Sequence, residues 1–184
     1  MEFVWSGENV HMDGELYDEN RKTYRYCLLG KGKNPLIVLG LNPSTADNKN
    51  PDPTMRRVIG FMESNGFDGF LMINLYPLRT PSPKILKEKG FDEKIHKLNL
   101  HKIESYLSKI ENPSILLAFG SKIQEIKFLK KCLSEIVDVC KKYNPKWKCL
   151  KTTKEGHTCH PLYLKSDLKL KPFDVAFYIE KLDD

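Results

Sequence analysis

The sequence predicts an α/β fold: a three-layer α/β/α arrangement with a central, four-stranded, mostly parallel sheet and additional strands at an N-terminal edge. Four short apolar segments alternate with amphipathic segments of helical periodicity, which is typical of parallel strands joined by helical crossovers. The chain has 184 residues, a length that suits one domain with a sizeable core. We therefore expect a single domain over residues 1–184, with 1–30 as an N-terminal strand extension.

The N-terminal extension contains two aromatic-rich pieces, Phe3–Trp5 and Tyr24–Leu29, separated by a polar turn region. Aromatic and β-branched residues favour strands, so we expect these pieces to form a hairpin at the sheet edge.

The first core strand is Leu36–Leu39, a continuous aliphatic run of the kind found in strands that are buried on both faces. Gly40 permits close approach of backbone or ligand, and Asn42-Pro43 takes the chain out of the strand. Asp52 is placed to cap a helix over residues 53–66, with a proline at its first position.

The second strand, Gly69–Tyr76, also ends in a polar residue, Asn74, and a proline-rich loop over 77–83 follows it. Apolar residues at helical spacing then predict a helix from Asp92 to Ile110.

The third strand, Ser114–Phe119, ends at Gly120-Ser121, and Ser121 is placed to cap a helix that continues to Ile136. Trp147–Leu150 reads as a fourth strand, and 173–182 as a final helix.

Unusual residues follow three of these strands, and a His-Pro loop follows the fourth. They are Asn42-Pro43, Asn74, Gly120-Ser121 and His160-Pro161. Ligands of open α/β sheets bind at the carboxyl ends of the strands, so parallel strands would bring all four features to one candidate site.

The composition limits the possible partners. The net charge is +6 and many lysines fall within 122–154, which is compatible with a polyanionic partner or with a solvated helix face.

The five cysteines form no Cys-x-x-Cys pair, and His157 with His160 has no evident third ligand, so we expect reduced thiols, no metal and no cofactor. An odd cysteine count without a signal peptide favours the cytoplasm, and no apolar run approaches the length of a membrane span.

Four blocks, in this order, resemble the uracil-DNA glycosylase superfamily. They are Gly40–Pro43 (similar to the Gly-x-Asn-Pro form of the mismatch-specific branch), Leu71–Asn74, Leu116–Gly120 and His160–Leu164. Arg79-Thr80-Pro81 is similar to the Arg-Pro-Pro tract of the thermophilic branch. The order of the blocks carries the resemblance, because each block alone also occurs by chance.

A second resemblance covers Tyr24 to about Leu164. Over this range the chain is similar to a bacterial family with the patterns Asn-Pro-Ser-Thr-Ala-Asp, Asp-Pro-Thr, Asn-Leu and His-Pro-Leu-Tyr, which has no assigned activity. Some glycosylases that look similar remove bulky modified bases from phage DNA, so the resemblance implies antiphage defence as a setting.

The glycosylase resemblance implies catalytic roles for Asn42, His160 and Asp47. Asn42 would position the attacking water, His160 would donate to the leaving base or to a flanking phosphate, and Asp47 or Asp52 would supply a carboxylate. Each residue also has a structural interpretation: Asn42 as a turn former before proline, Asp52 as a helix cap, and His160 as a loop residue that satisfies backbone groups.

Binding roles are implied for two further sets. Asn74 would read the edge of the base, and the substrate-binding set is Pro43, Ser44, Asn74, Tyr76 and Arg79. The DNA-binding set is Gly120, Ser121, Pro161, Leu162 and Tyr163. In this set Gly120-Ser121 would hold a phosphate at a helix N-terminus, and Leu162 or Tyr163 would enter the base stack or only pack the loop.

Ser44 bears on the substrate. In the strict uracil enzymes of the superfamily, a tyrosine at this place is understood to block substituents at C5 of the pyrimidine, and serine leaves room there. The family's usual serine after the His-Pro pair is also absent, since Leu162 follows Pro161. We therefore expect a C5-substituted or otherwise bulky base.

The leading hypothesis is a monomeric, monofunctional DNA glycosylase that acts on a modified or damaged base and leaves an abasic site. One alternative is a hydrolase or transferase of free nucleosides or nucleotides, and another is a non-catalytic nucleic-acid-binding module. Lys151 and Lys154 are available for a Schiff base, although nothing in the sequence marks either one. A dinucleotide-dependent enzyme is disfavoured because Gly-x-Gly-x-x-Gly is absent.

Overall fold

The computed structural model describes residues 3–14, 16–17 and 23–183. Its strands are β1 (Val10–Asp13), β2 (Leu16–Tyr17), β3 (Thr23–Tyr24), β4 (Cys27–Gly30), β5 (Pro35–Gly40), β6 (Gly69–Asn74), β7 (Ser114–Leu117), β8 (Lys146–Cys149) and β9 (Lys171–Pro172). Its helices are α1 (Pro53–Ser64), α2 (Pro83–Lys89), α3 (Glu93–Leu107), α4 (Lys127–Lys141) and α5 (Val175–Asp183). Two short 3-10 turns span Ser121–Glu125 and Pro161–Tyr163.

The fold is mixed α/β, built on a seven-stranded sheet with the order β1-β4-β6-β5-β7-β8-β9. The four strands predicted from apolar runs are β5, β6, β7 and β8, and they pair in parallel as expected. The expected size of four strands was wrong, because antiparallel strands extend the sheet at both edges. The added strand β9 has only two residues, which is too short for an alternating pattern that would predict a strand.

The N-terminal edge prediction is confirmed in part. Strand β4 pairs antiparallel with β6, and β1 pairs antiparallel with β4. Phe3–Trp5 does not form a strand. Instead, the rings of Phe3 and Trp5 lie 5.4 and 5.5 Å from the ring of Phe70, so their aromatic character serves packing.

Strand β5 is the centre of the core, because both of its faces are buried. Leu36 and Val38 belong to one apolar cluster, and Ile37 and Leu39 belong to another on the opposite face. Helix α1 contributes to the first cluster, and α3, α4 and α5 contribute to the second. This alternation is the reason for the unbroken aliphatic run in the sequence.

The predicted helix starts at Asp52 and Asp92 are confirmed. The Asp52 carboxylate accepts a hydrogen bond from the Met55 N–H at 2.9 Å, and the Asp92 carboxylate accepts from the Lys94 N–H at 2.9 Å. The final helix is also present, as α5.

The predicted continuous helix from Ser121 to Ile136 is wrong. A 3-10 turn ends at Glu125, Ile126 is extended, and α4 begins only at Lys127. Ile123 and Ile126 are both buried, and the extended backbone of Ile126 separates the 3-10 turn from α4. Helix α2 begins at the last residue of the predicted proline-rich loop, because Pro83 fits the first turn of a helix.

Among the described helices, none has both the length and the apolar character that crossing a bilayer requires.

Consecutive residues of β5 should be equally sensitive to truncation. We expect Leu36→Ala and Ile37→Ala each to lower the free energy of unfolding by about 2–5 kcal/mol, because each leaves a cavity in a different apolar cluster. Chemical denaturation measures the change. The exposed neighbour Lys33 is the control, and Lys33→Ala should change the free energy by less than about 0.5 kcal/mol. A large loss at only one of the two strand positions would contradict a strand buried on both faces.

Candidate functional site

A cleft of about 660 Å³ opens at the carboxyl ends of β5, β6 and β7. Its walls come from parts of five segments, 40–45, 52–55, 80–83, 119–122 and 151–164, with Arg25 and Met72 in addition. Seven members of the predicted catalytic, substrate-binding and DNA-binding sets line it together: Asn42, Ser44, Gly120, Ser121, His160, Leu162 and Tyr163. Parallel pairing accounts for this convergence, since the ends of β5, β6 and β7 lie at one edge of the sheet.

Asn42 is held by its amide nitrogen. Its Nδ2 donates to the backbone oxygens of Pro43 at 2.9 Å and Thr80 at 2.8 Å. An amide nitrogen only donates, so these contacts fix which way the side chain is turned. The Oδ1 atom accepts no hydrogen bond within the described part of the chain, and Asn42 is partly exposed in the cleft. The geometry therefore leaves an acceptor for a water or a ligand hydroxyl.

Two arginines support the loop after β5. Arg79 donates through Nε to the Ser44 oxygen at 2.8 Å and through Nη2 to the oxygens of Thr45 and Ala46, each at 3.2 Å. Arg25 also donates to the Ala46 oxygen. Arg79 does not line the cleft, whereas the buried Arg25 does. Sequence reasoning missed Arg25, although an arginine inside an aromatic run was a usable signal.

The two candidate carboxylates have different surroundings. The backbone N–H groups of Asn50 and Lys49 donate to Asp47 Oδ1, both at 2.7 Å, and they hold the pKa of Asp47 below its usual value. Asp47 does not line the cleft. Asp52 does, while its Oδ1 and Oδ2 accept from the N–H groups of Met55 and Ala46 at 2.9 and 3.3 Å. The carboxylate available to the cleft is therefore that of Asp52.

His160 caps the second 3-10 turn. Its Nδ1 accepts from the Leu162 N–H at 3.3 Å, so the neutral ring carries its proton on Nε2. Burial lowers the pKa of His160, the nearby Lys122 lowers it further, and the Asp52 carboxylate opposes the shift. A Cβ on Gly120, whose φ is +72°, would lie 3.4 Å from the Cβ of His160, so Gly120 packs directly against this residue. At neutral pH, His160 is thus a hydrogen-bond donor in the cleft wall.

Asn74 lies directly beside the cleft floor. It pairs in register with Gly40, and a Cβ on Gly40 would come within 2.7 Å of Asn74 Oδ1 and 2.5 Å of Met72 Cε. The side chain of Asn74 is 1% exposed, and neither Nδ2 nor Oδ1 has a partner in the described chain. A buried polar group left unpaired costs about 1–3 kcal/mol. Such a cost in a native fold is expected where a ligand completes the site.

Thr158 carries a second buried polar group without a partner. It lines the cleft, is 0% exposed, and its Oγ1 makes no hydrogen bond to any described residue. Nothing in the polar stretch 152–158 distinguished Thr158 in the sequence.

Besides Asp47, Asn74 and Arg79, three more predicted site residues do not line the cleft. Tyr76 belongs to the opposite apolar cluster, where its hydroxyl accepts from the Asp92 N–H at 3.0 Å and its ring lies 5.1 Å from that of Phe128. Pro43 and Pro161 are buried in the two loops whose turns they form. Their positions fit structural roles.

The rim of the cleft carries an exposed aromatic ring. Tyr163 is 84% exposed, and its ring centroid lies 5.9 Å from that of His160. The neighbouring Leu162 is half-buried and also lines the cleft. A flat apolar surface is therefore available beside the cleft mouth for stacking.

The charge of the cleft is mainly positive. Among its described lining residues, the cations are Arg25, Lys122 and Lys151, and the one carboxylate is that of Asp52. This balance favours an anionic ligand.

Of the two lysines considered for a Schiff base, Lys151 lines the cleft and Lys154 does not. Within 3–14, 16–17 and 23–183, no three histidines, cysteines or acidic residues are grouped to hold a metal, and His157 Nδ1 pairs with the Tyr178 hydroxyl at 3.0 Å.

The fold is that of an α/β protein with a mixed sheet, and a cleft opens at the carboxyl ends of its central parallel strands. Residues 25–162 match the model of a family described as "protein of unknown function (DUF1643)", and the chain belongs to that family. No curated protein and no solved structure matches the chain.

The titration of His160 should respond to its two charged neighbours in opposite directions. We expect its pKa to lie below the usual value of about 6.5. Lys122→Gln should raise it, because a nearby positive charge is removed, and Asp52→Asn should lower it. An NMR titration of the histidine ring protons measures each midpoint, with the exposed His101 as internal reference. Movement of His160 in the same direction in both variants would contradict the charge arrangement described above.

Proposed function

We propose that this protein is a DNA glycosylase that hydrolyses the N-glycosidic bond of a modified or damaged base, a C5-substituted or bulky pyrimidine, and leaves an abasic site. One observation carries the proposal: a neutral histidine donor and an amide acceptor line the same cleft, beside a buried amide without partners. These residues are His160, Asn42 and Asn74. They belong to three of the four blocks that resemble the uracil-DNA glycosylase superfamily, so the proposal includes that superfamily's three-layer α/β/α arrangement.

Hydrolysis of an N-glycosidic bond requires groups that stabilise opposite charges on the base and on the sugar. The C1′–N bond breaks with its electron pair leaving on the base, the oxygen of water bonds to C1′, and a proton of that water ends on the base. Negative charge therefore develops on the base and positive charge on the sugar. His160 Nε2–H donates to the base as it leaves, which stabilises the negative charge without a net charge on the imidazole.

The other half of the reaction concerns the sugar and the water. Asn42 Oδ1 accepts a hydrogen bond from the attacking water and fixes its position, since the amide nitrogen is already engaged with backbone oxygens. The carboxylate of Asp52 lines the same cleft and stabilises the positive charge on the sugar. Asp47 has no role in this scheme, because it does not line the cleft.

Recognition of the base falls to Asn74. An amide offers a donor and an acceptor side by side, which suits the edge of a pyrimidine. Binding such an edge would satisfy both polar atoms that the free protein leaves unpaired. The base must leave the stack to reach this depth, and Tyr163 at the rim is placed to stack in its stead.

The size of the cleft favours a substituted base. At about 660 Å³ it exceeds what one pyrimidine ring fills, and Ser44 and Thr45 form part of its wall. Small polar side chains at this position leave room for a polar substituent.

Loss of the His160 donor should abolish most of the activity. DNA carrying uracil, a mismatched thymine, or a modified cytosine (sugar-modified cytosine included) is incubated with the protein, and abasic sites are counted after strand cleavage. On the base that reacts, His160→Ala should lower the rate by about 100-fold or more, because a donor to the developing negative charge is removed. His101→Ala, on the exposed face of α3, is the matched control and should leave the rate unchanged.

Two outcomes would overturn the proposed reaction. One is turnover of free nucleotides with no abasic sites on any of the DNA substrates. The other is salt-sensitive DNA binding with no product of either kind, which is the behaviour of a binding module.

Ser44 should set the size of the accepted base. Ser44→Tyr fills the wall beside the base, so we expect it to abolish excision of a bulky base while any excision of an unsubstituted pyrimidine persists. Ser44→Ala keeps the space open and should retain both. Competition between the two substrates in one reaction measures the ratio directly. If Ser44→Tyr excises the bulky base at the wild-type rate, Ser44 does not line the base pocket.

A further inference from the structure

One part of the cleft wall carries polar groups that the proposed reaction does not use. It is formed by Lys122, after the end of β7, and by Lys151 and Thr158, on the segment that follows β8. The Ser121–Glu125 turn is a 3-10 turn of five residues, so no helix N-terminus accounts for anion binding here. What this wall offers are two ammonium groups and one hydroxyl.

The segment that carries Lys151 and Thr158 is a well-fixed hairpin. The Cys159 N–H donates to the Lys151 oxygen at 2.9 Å, and the Thr153 N–H donates to the His157 oxygen at 2.8 Å. His157 is buried, and its Nδ1 lies 3.0 Å from the hydroxyl of Tyr178 on α5. These contacts hold Thr158 in place without using its hydroxyl.

The two lysines are uncompensated. Neither Lys122 nor Lys151 forms an ion pair or a side-chain hydrogen bond with the described residues, although other lysines do. Lys131, for example, lies 2.8 Å from the Glu93 carboxylate. Lys122 is also close enough to His160 to lower its pKa. The wall next to His160 therefore carries two ammonium groups that form no ion pair with the described residues, and the one carboxylate that lines the same cleft is that of Asp52.

We propose that Lys122, Lys151 and Thr158 form a phosphate subsite, which binds a phosphoryl group of the substrate beside the base pocket. The Thr158 hydroxyl donates to a phosphate oxygen, and the two ammonium groups neutralise the charge. The subsite makes the substrate a nucleotide rather than a nucleoside, with its phosphate either in a DNA chain or on a free mononucleotide. Its place beside the base pocket rests on the proposed function.

The buried hydroxyl gives this subsite a distinctive signature. If Thr158 serves packing alone, conversion to valine should change the stability of the free protein and leave the binding of every ligand unaltered. If the Thr158 hydroxyl binds phosphate, conversion to valine has two effects. It removes an unsatisfied polar atom, which raises the stability of the free protein, and it removes a donor to the ligand, which weakens phosphate binding.

The test compares three ligands by calorimetric titration: deoxycytidine, dCMP, and a short single-stranded oligodeoxynucleotide without terminal phosphate. We expect Thr158→Val to raise the melting temperature of the free protein and to lower the affinity for a phosphate-bearing ligand about tenfold. Lys122→Gln and Lys151→Gln should each reduce the slope of log affinity against log salt for the oligonucleotide by about 0.7. Lys146→Gln, exposed at the opposite edge of the sheet, is the matched control and should leave the slope unchanged.

The ligands distinguish the source of the phosphate. A loss confined to the oligonucleotide supports a backbone diester, and a loss that extends to dCMP supports a terminal monoester as well. The subsite is overturned if wild-type protein binds neither phosphate-bearing ligand, if the variants bind both as wild type does, or if the affinity for deoxycytidine falls equally. The abasic-site assay is scored separately. Abasic sites with unaltered salt slopes overturn the subsite alone, and altered slopes without abasic sites overturn the proposed reaction alone.

Discussion

The loops after β5 and β6 are tied to each other by hydrogen bonds that run in both directions, and the shape of the cleft depends on this tie. Asn42 Nδ2 donates to the Thr80 oxygen, the Thr80 N–H donates back to the Pro43 oxygen at 2.9 Å, and Arg79 donates to the oxygens of residues 44–46. A loop that leaves a parallel strand exposes backbone oxygens that no neighbouring strand can satisfy. Here polar side chains satisfy them, and Ser44 and the Asn42 oxygen are fixed as a result. The amide of Asn42 thus serves the fold with its nitrogen and leaves its oxygen for chemistry.

Polar groups that support the cleft differ in their hydrogen bonding from two polar groups at or beside it. The Asp47 carboxylate, the Arg79 guanidinium and the Asn42 nitrogen are all engaged with backbone groups around the cleft. In contrast, the Asn74 amide and the Thr158 hydroxyl are buried without partners in the described structure. The supporting groups are therefore paired in the free protein, whereas these two are unpaired in it. A buried polar group without a partner lowers stability, but it improves the discrimination between ligands. A ligand that lacks the matching group leaves the buried polar group unpaired and therefore binds more weakly.

The parallel core and the edge at which the site lies were predictable from the sequence, because both follow from local patterns. Aliphatic runs that end in Gly or Asn identify buried strands, and parallel pairing brings their ends together. Tertiary contacts decide the rest. Asn74 and Tyr76 are two residues apart and both belonged to the predicted substrate-binding set, yet Tyr76 lies in the apolar cluster on the face of the sheet that packs against α3 and α4. Asp47 was the predicted catalytic carboxylate and Asp52 the alternative with a helix-capping role, and only the folded loop shows that Asp52 rather than Asp47 lines the cleft. Thr158 had no signal at all, since an unpaired hydroxyl is a property of its surroundings.

The five cysteines differ in their access to solvent, and this difference gives the folded chain one reactive thiol. Cys27, Cys132, Cys140 and Cys149 are buried, and burial raises the pKa of each thiol, so all four resist alkylation. Cys159 is partly exposed and lines the cleft next to His160. A thiol-reactive fluorophore therefore has one accessible attachment point in the native sequence, and that point reports on occupancy of the cleft. Ligands of unknown identity can be screened by their effect on its emission, without a prior assumption about the reaction.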